Sequence, residues 1–511
     1  MRRSPSLRFF GGFLAFPGGK TSPGDADISV QSVRPVAASL KLSPPLSTRI
    51  VAAARELFEE TGVLLARDSD NSFPPASAKL TSWRRDLTTQ KLTFRQLLLN
   101  HGLSIHEADF VRLGDVITPP FAPVRYDTSF FLAHLPPGQE ADIWPGELDQ
   151  GFWSRPKEVL NRWKRGECLV SPPSVVILQA LEDQVAEAGV FERAGRGIED
   201  SAATTRLAPL FQFHSSGEIP PIFFAPEVRL IPLRTLALPP TSYTNAYLVG
   251  REKSYLMDPG CSAPDEQARL FRFLDQFVKE GGRLEAIVLT HQHIDHVGAA
   301  AVCAERYHLP ILAHPLTARA LENKIVVTGT IHDGDRLDLG TLPSMNGEPC
   351  GVSPRSWYLQ ALHTPGHASG HLAFFEPHYR LLFAGDMVST ISSVVIAPPD
   401  GNLTIYLESL RRLAALDCRL LLPGHGSVSS SPRQTIELCI RHRIEREEQL
   451  VGALASGPRL LEDLLVEVYK GVPEPLMKFA RLQLQAGLEK LQREGRVVMN
   501  GNGWELLGLA Q

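Results

Sequence analysis

The stretch THQHIDHVG, residues 290–298, places four potential metal ligands, His291, His293, Asp295 and His296, within six residues. It follows LEAIVLT, an apolar run that reads as a buried strand, and precedes AAAVCAERY, which reads as a helix. The cluster therefore falls on a strand-to-helix turn, where His291 and His293 can converge on one cation while Asp295 and His296 turn toward a second. Three more candidates follow, each just beyond another apolar run: His367 in TPGH after SWYLQAL, Asp386 in AGD after YRLLF, and His425 in PGH after CRLLL. Strand ends that deliver polar side chains to one edge are how α/β layers build a site.

The ordered pattern HxHxDH, then His, Asp and His, resembles the metallo-β-lactamase superfamily, in particular its glyoxalase II-like hydrolases. The resemblance implies that His291, His293 and His367 hold one metal, that Asp295, His296 and His425 hold another, and that Asp386 bridges them. Two divalent cations about 3.5–4 Å apart share a water and lower its pKa toward neutrality, so the expected nucleophile is a metal-bridged hydroxide. One cation polarises the attacked carbonyl or phosphoryl oxygen, and the other stabilises the leaving atom. Asp295 is expected to orient the hydroxide as well as to bind metal. Imidazole-rich ligation suits two zinc ions, and the same mixed sites accept iron or manganese.

Far upstream, RELFEETGV, residues 55–63, reads as a helix start packed with carboxylates. Glu56, Glu59 and Glu60 fall at i, i+3 and i+4 on one helix face, where they repel unless a cation gathers them. Hard oxygen ligands suit magnesium or manganese. Together with FPGGKTSPGD, residues 16–25, this segment resembles the Nudix box, the second half in full and the first half with Asp25 in a Glu position. Residues 26–54 form an insertion rich in Ser, Pro, Ala and Val, similar to the coenzyme A diphosphatase-like branch of that family. PVRYDTSFFLAHLP (123–136) and GELDQGFWSRPKEVL (146–160) resemble later strands and the E…W element of the same branch. The resemblance implies Glu56, Glu59 and Glu60 as ligands of magnesium or manganese, with Glu59 catalytic. A strand usually precedes the FPGG loop, and MRRSPSLRFF leaves little room for it, so the Nudix sheet is expected to lack its first strand. The paired arginines ahead of FFGGFLAF also resemble an export signal, but that apolar stretch is short, broken by glycine and runs straight into the loop.

Residues 231–250, IPLRTLALPPTSYTNAYLVG, and then SYLMDPG resemble the opening strands of the lactamase-type sandwich, with Asn245 and Asp258 in supporting structural positions. After His425 the pattern turns helical: RQTIELCIRHRIEREEQLVGAL is a long amphipathic segment, and PRLLEDLLVEVY, EPLMKFARLQLQAGLEKLQREG, RVVMN and GWELL give helices followed by a hairpin. This is a winged-helix order. With the run His442, Arg443, Arg446 and Glu447, it resembles the lactamase-β-like branch that contains mitochondrial endoribonuclease-like proteins. From Arg446 onward eight Lys and Arg stand against nine Asp and Glu, whereas a nucleic-acid-reading wing carries a basic surplus. The tail is therefore expected to pack against the catalytic domain.

The expected chain is a multi-domain α/β protein, its 511 residues allowing two to four units. It comprises a Nudix α/β/α sandwich at 1–195, a linker at 196–224, a metallo-β-lactamase αββα sandwich at 225–440 and a winged-helix-like cap at 441–511. A net charge of −4 gives no support for a basic nucleic-acid surface. The cysteines, Cys168, Cys261, Cys303, Cys350, Cys418 and Cys439, contain no CxxC pair and read as free thiols of a reducing compartment, so a cytoplasmic location is expected. No run approaches the ~18 apolar residues of a membrane span. A two-metal centre can open a thioester, lactone, amide or phosphodiester, because each develops an oxyanion beside the attacking oxygen. The fused Nudix unit favours a small-molecule partner: an acyl-coenzyme A thioester, with diphosphate cleavage of coenzyme A or nucleotide derivatives following on the same chain. The alternatives are a metal-dependent endoribonuclease, and a degenerate Nudix nucleotide-sensing module attached to an active hydrolase.

Overall fold

The computed structural model describes residues 1–5, 7, 10–32, 45–118, 125–144, 146–186, 222–343 and 356–507. The expected linker up to residue 221, Cys350 and the first residues of segment 123–136 lie outside them. The chain divides into two compact units, one drawn mainly from residues 1–216 and the other mainly from 217–511. Among the described residues Cys168, Cys261, Cys303, Cys418 and Cys439 are free thiols, and no helix is long and apolar enough to cross a membrane.

In the first unit the helix Leu46–Thr61 turns Ile50, Ala54 and Phe58 onto one face, four residues apart, and buries them against Leu64, Leu97 and Ile105. It ends at Gly62, whose φ of 74° lets its N–H reach back to Phe58 O. RELFEETGV is thus the last two turns of a helix and not its start. Carboxylates at that end oppose the helix dipole and need compensation from elsewhere. A strand pair does stand ahead of the FPGG loop: Arg2–Arg3 and Phe13–Leu14 form a four-stranded sheet with Leu148–Gln150 and Leu169–Val170. Little room suffices because each of these first strands is only two residues long.

The second unit is a four-layer sandwich. Its first sheet runs, edge to edge, Gly329–Thr330, Ile311–Ala313, Leu284–Val288, Ser254–Met257, Tyr243–Val249, Val228–Arg234 and Ile222–Ala225. The last of these begins inside the segment expected as linker. Alternation along Tyr243–Val249 sends Ala246 and Leu248 toward the helix Pro264–Lys279, where they meet Leu270 and Leu274, and sends Tyr247 to the opposite face. The second sheet runs Arg336–Thr341, Ser356–His363, Leu372–Glu376, Leu381–Ser389 and Leu420–His425. The helix Leu403–Ala414 covers it through Tyr406, Leu407, Leu410 and Leu413. The sheets are tied where Asn245 Nδ2 donates to Pro423 O at 3.0 Å and to Gly426 O at 2.8 Å, and where the Tyr247 hydroxyl donates to Pro423 O at 2.8 Å.

The helix Pro432–Leu454 runs unbroken through the expected boundary at 440–441. Helices Leu461–Val468 and Met477–Arg493 and the hairpin Val497–Asn500/Gly503–Leu506 then close a small core around Leu450, Leu464, Leu484 and Leu488, in the expected winged-helix order.

Candidate metal centre

Strand polarity brings the predicted ligands together. Leu284–Val288 is parallel to its neighbour Ser254–Met257, and the chain leaving its carboxyl end carries His291 and His293 into the short helix Ile294–Val297. Leu381–Ser389 and Leu420–His425 are also parallel, so Asp386 and His425 emerge side by side. His367 follows the strand Ser356–His363.

Two trios result. Ligand atoms of His291, His293 and His367 lie within 4.8 Å of one another, and so do those of Asp295, His296 and His425. In the first, His291 Nε2 is 2.9 Å from His293 Nδ1, and His367 Nε2 is 3.3 Å and 3.0 Å from the same two atoms. In the second, His296 Nε2 and His425 Nε2 are 3.3 Å apart, with Asp295 Oδ2 3.3 Å from His425 Nε2. Asp386 faces both: Oδ2 lies 3.6 Å from His367 Nε2, while Oδ1 lies 3.3 Å from His296 Nε2 and 3.4 Å from His425 Nε2.

The outer ring nitrogens are already committed. His367 Nδ1 donates to Val395 O at 2.7 Å, His425 Nδ1 to Tyr243 O at 2.9 Å, and His296 Nδ1 to Asp258 Oδ2 at 2.8 Å. A proton held on Nδ1 reserves Nε2 as the ligating atom of each ring, and these atoms face one another and Asp386. Burial holds the His367 imidazole down at about 4, so it is neutral at pH 7. Burial also acts downward on His425, but the Asp386 and Asp295 carboxylates outweigh it and push that ring up to about 10. The pocket thus demands positive charge, and without a cation an imidazolium has to supply it. Asp386 Oδ1 is buried between the His296 and His425 rings at 3.3 and 3.4 Å, too poorly aligned for a good hydrogen bond to either, and a Cβ on Gly424 would come within 2.7 Å of it. Converging ring nitrogens, a carboxylate oxygen without a well-aligned donor and a wall kept free of side chain fit two divalent cations.

Supporting groups complete the centre. Asp258 accepts from Thr290 N at 2.8 Å and Thr290 Oγ1 at 2.6 Å besides His296, in the supporting role expected of it. His371, Gln292 and Asp400 were not singled out in the sequence. His371 Nε2 accepts from Asp386 N at 3.1 Å. Asp400 accepts from Gln292 Nε2 at 2.7 Å and from Ser369 N at 3.1 Å, joining the two loops that carry the first trio. A second His four residues after His367 was the available signal for His371; a solvent-side Asp on a loop gave none.

The Nudix-type carboxylates are arranged differently. Arg55 Nη1 lies 2.9 Å from Glu56 Oε1 and 3.4 Å from both Glu59 oxygens, while its other nitrogens hold buried Asp25 at 2.9 and 3.0 Å. Glu60 accepts from Gly18 N at 2.8 Å, and burial pushes its carboxyl up to about 7. Among the described residues none of these three glutamates joins a group of ligating atoms close enough to hold an ion. The Arg55 guanidinium stands beside Glu56 and Glu59 and offsets part of their mutual repulsion.

Comparison with known proteins follows the same division. The family model described as the Metallo-beta-lactamase superfamily matches residues 239–425, that of the NUDT19 Nudix domain residues 37–181, and that of the Beta-lactamase associated winged helix domain residues 461–504. Beta-lactamase-like protein 2 homolog of Drosophila melanogaster is 27% identical over 50% of this chain and 84% of its own length. Lactamase-like protein nscB of Trichophyton equinum is 30% identical over 46% of this chain and 68% of its own. Thioesterase pkgB of Emericella nidulans is 31% identical over 42% of this chain, a match that spans little more than half, 54%, of that protein.

Proposed function

Because the chain belongs to the metallo-β-lactamase superfamily, with a Nudix domain ahead of that domain and a winged-helix element behind it, we propose that it is a binuclear metal-dependent hydrolase of thioesters of the acyl-coenzyme A class. The observation that carries the reading is the pair of trios with Asp386 between them. Two divalent cations, when bound, supply the Lewis acidity that makes water nucleophilic near neutral pH and polarises the scissile carbonyl. The ligand set is His291, His293 and His367 on one side and Asp295, His296 and His425 on the other, with Asp386 shared. Asp295 orients the attacking water by accepting a hydrogen bond from it. Water oxygen bonds to the acyl carbon, the carbon–sulfur bond breaks, and the thiolate takes up a proton, giving a free acid and a free thiol.

The name of the Emericella relative, a thioesterase, favours this substrate class. So does the charge of the cap: of the eight basic residues from Arg446 on, Arg459, Arg481, Lys490, Arg493 and Arg496 are ion-paired with neighbouring glutamates. A surface that neutralises its own cations offers little to a phosphate backbone.

Elemental analysis combined with a panel of acyl-coenzyme A, lactone and single-stranded RNA substrates tests the reading. About two transition-metal ions per chain and thiol release that stops on chelation are expected, with Asp386→Ala lowering occupancy of both sites. Unchanged metal content in that variant overturns the ligand assignment, and RNA cleavage without thiol release replaces the thioesterase with the endoribonuclease.

A further inference from the structure

The segment between the strand Leu381–Ser389 and the helix Leu403–Ala414 runs past the first trio and touches it from outside at several points. Val395 O takes the Nδ1 proton of His367. Asp400 clips Gln292, between His291 and His293, to Ser369, two residues beyond His367. Asn402 N donates to Gly366 O at 2.7 Å. The segment is a strap across the His291/His293/His367 side of the centre.

The strap is in turn held by the C-terminal helices. Arg443, 8% exposed, donates through Nη2 to Val394 O and through Nη1 to Gln483 Oε1 at 3.0 Å. Gln483 Nε2 donates to the same Val394 O at 2.7 Å, and its Oε1 accepts from Ile396 N at 3.3 Å. The carbonyl that orients His367 is therefore flanked on both sides by backbone groups pinned from the helices Pro432–Leu454 and Met477–Arg493. One turn further along the first helix, Glu447 accepts from Lys490 Nζ at 2.6 Å and from Arg496 at the base of the wing hairpin.

We infer that Arg443, with Gln483, is a positioning residue that sets the geometry of the His291/His293/His367 metal site through the Val394–Val395–Ile396 backbone, so that the winged-helix element governs one of the two metals. An orienting partner of a metal-bound imidazole fixes its tautomer and direction, and its loss costs about 10–100-fold in metal affinity. Arg443 acts one step further out, on the backbone that carries the orienting carbonyl. The other trio takes its orienting acceptors from Asp258 and Tyr243, outside the strap.

The inference rests on the two-metal reading, and a zinc titration of the metal-free full-length chain separates the two. The wild type should hold two zinc ions; if it holds fewer, the two-metal reading fails and this inference with it. In a His425→Ala background, which removes a ligand of the other trio, the surviving site is the one the strap supports. Arg443→Met there should weaken zinc binding by about 10-fold, the lower end for a direct orienting partner, and Arg443→Lys, which keeps a donor for Val394 O, should recover part of the loss. Gln483→Leu should act in the same direction and decides the matter if Arg443→Met does not fold. Wild-type zinc affinity for the surviving site in a folded variant overturns the inference, as does equal weakening of both sites when the His425 ligand is intact.

Discussion

Glu376 shows what a single residue can do when it is fully enclosed. Its carboxyl, 0% exposed, accepts from Trp357 Nε1 at 2.8 Å, His378 N at 3.0 Å and Tyr379 N at 2.6 Å, yet burial outweighs these bonds and pushes it up from 4.5 to about 7. The folded state therefore keeps this proton where the unfolded state has lost it. The stabilisation is complete below the unfolded value and is lost as pH rises through about 7. Its ceiling is about 3 kcal/mol. Glu376→Gln should remove this pH dependence while leaving Tyr379 N–H facing an amide donor. Melting measured at pH 5 and pH 8 should show the wild type ahead by more at pH 5, and an equal gap at both would contradict the shifted carboxyl. Legibility at this scale divided by chemistry. The seven predicted ligands could be read from sequence because they follow apolar runs, four of them in one cluster after LEAIVLT. Val395 O and Tyr243 O could not, since a backbone carbonyl has no letter of its own, and neither could the raised carboxyl of Glu376 in a plain FFEPHY.

Among elements, the short helix Ile294–Val297 depends on a glycine in a different strand connection. A Cβ on Gly260 would fall 1.7 Å from Asp295 O and 2.4 Å from its carbonyl carbon, so the helix can sit this close only because no side chain intervenes. Gly260→Ala should displace Asp295 and His296 together, cost about 1–3 kcal/mol by overpacking, and reduce metal content. Calorimetric melting and elemental analysis of the variant check this, and full occupancy with an unshifted melt would mean the helix has room to spare. Element type was legible wherever periodicity was strong, as in the tail helices. Direction along an element was not. RELFEETGV carries acidic residues that normally mark a helix start, but here burial of Ile50, Ala54 and Phe58 set the helix and Gly62 ended it. Arg55 within the same helix and the Gly18 N–H from the loop offset the misplaced charge.

Across the whole molecule, the two clusters draw on disjoint residues in separate units. His293→Ala should abolish thioester hydrolysis, whereas Glu59→Gln should leave two metals per chain in the second unit and remove whatever diphosphate cleavage the first supports. Parallel assays of thiol release and diphosphate hydrolysis, with unfolding monitored, decide it; either substitution silencing both activities in folded protein would merge the centres into one. The division into units was readable because two unrelated ligand chemistries, oxygen-rich and nitrogen-rich, fall far apart in the chain. The seam between the two sheets was not, because Asn245 reaching Pro423 and Gly426 spans 178 and 181 residues. That seam has a mechanical consequence. His291 and Asp295 leave the first sheet, while His367, Asp386 and His425 belong to the second, so an ion held between them fastens one sheet to the other across 76 residues from His291 to His367 or 129 from His296 to His425. Each metal is then a removable cross-link of the kind a disulfide provides, worth several kcal/mol of lost chain freedom in the unfolded state. Metal bound there would pin the two sheets beyond what Asn245 and Tyr247 already do, so stripping it should lower the melting temperature along with the activity.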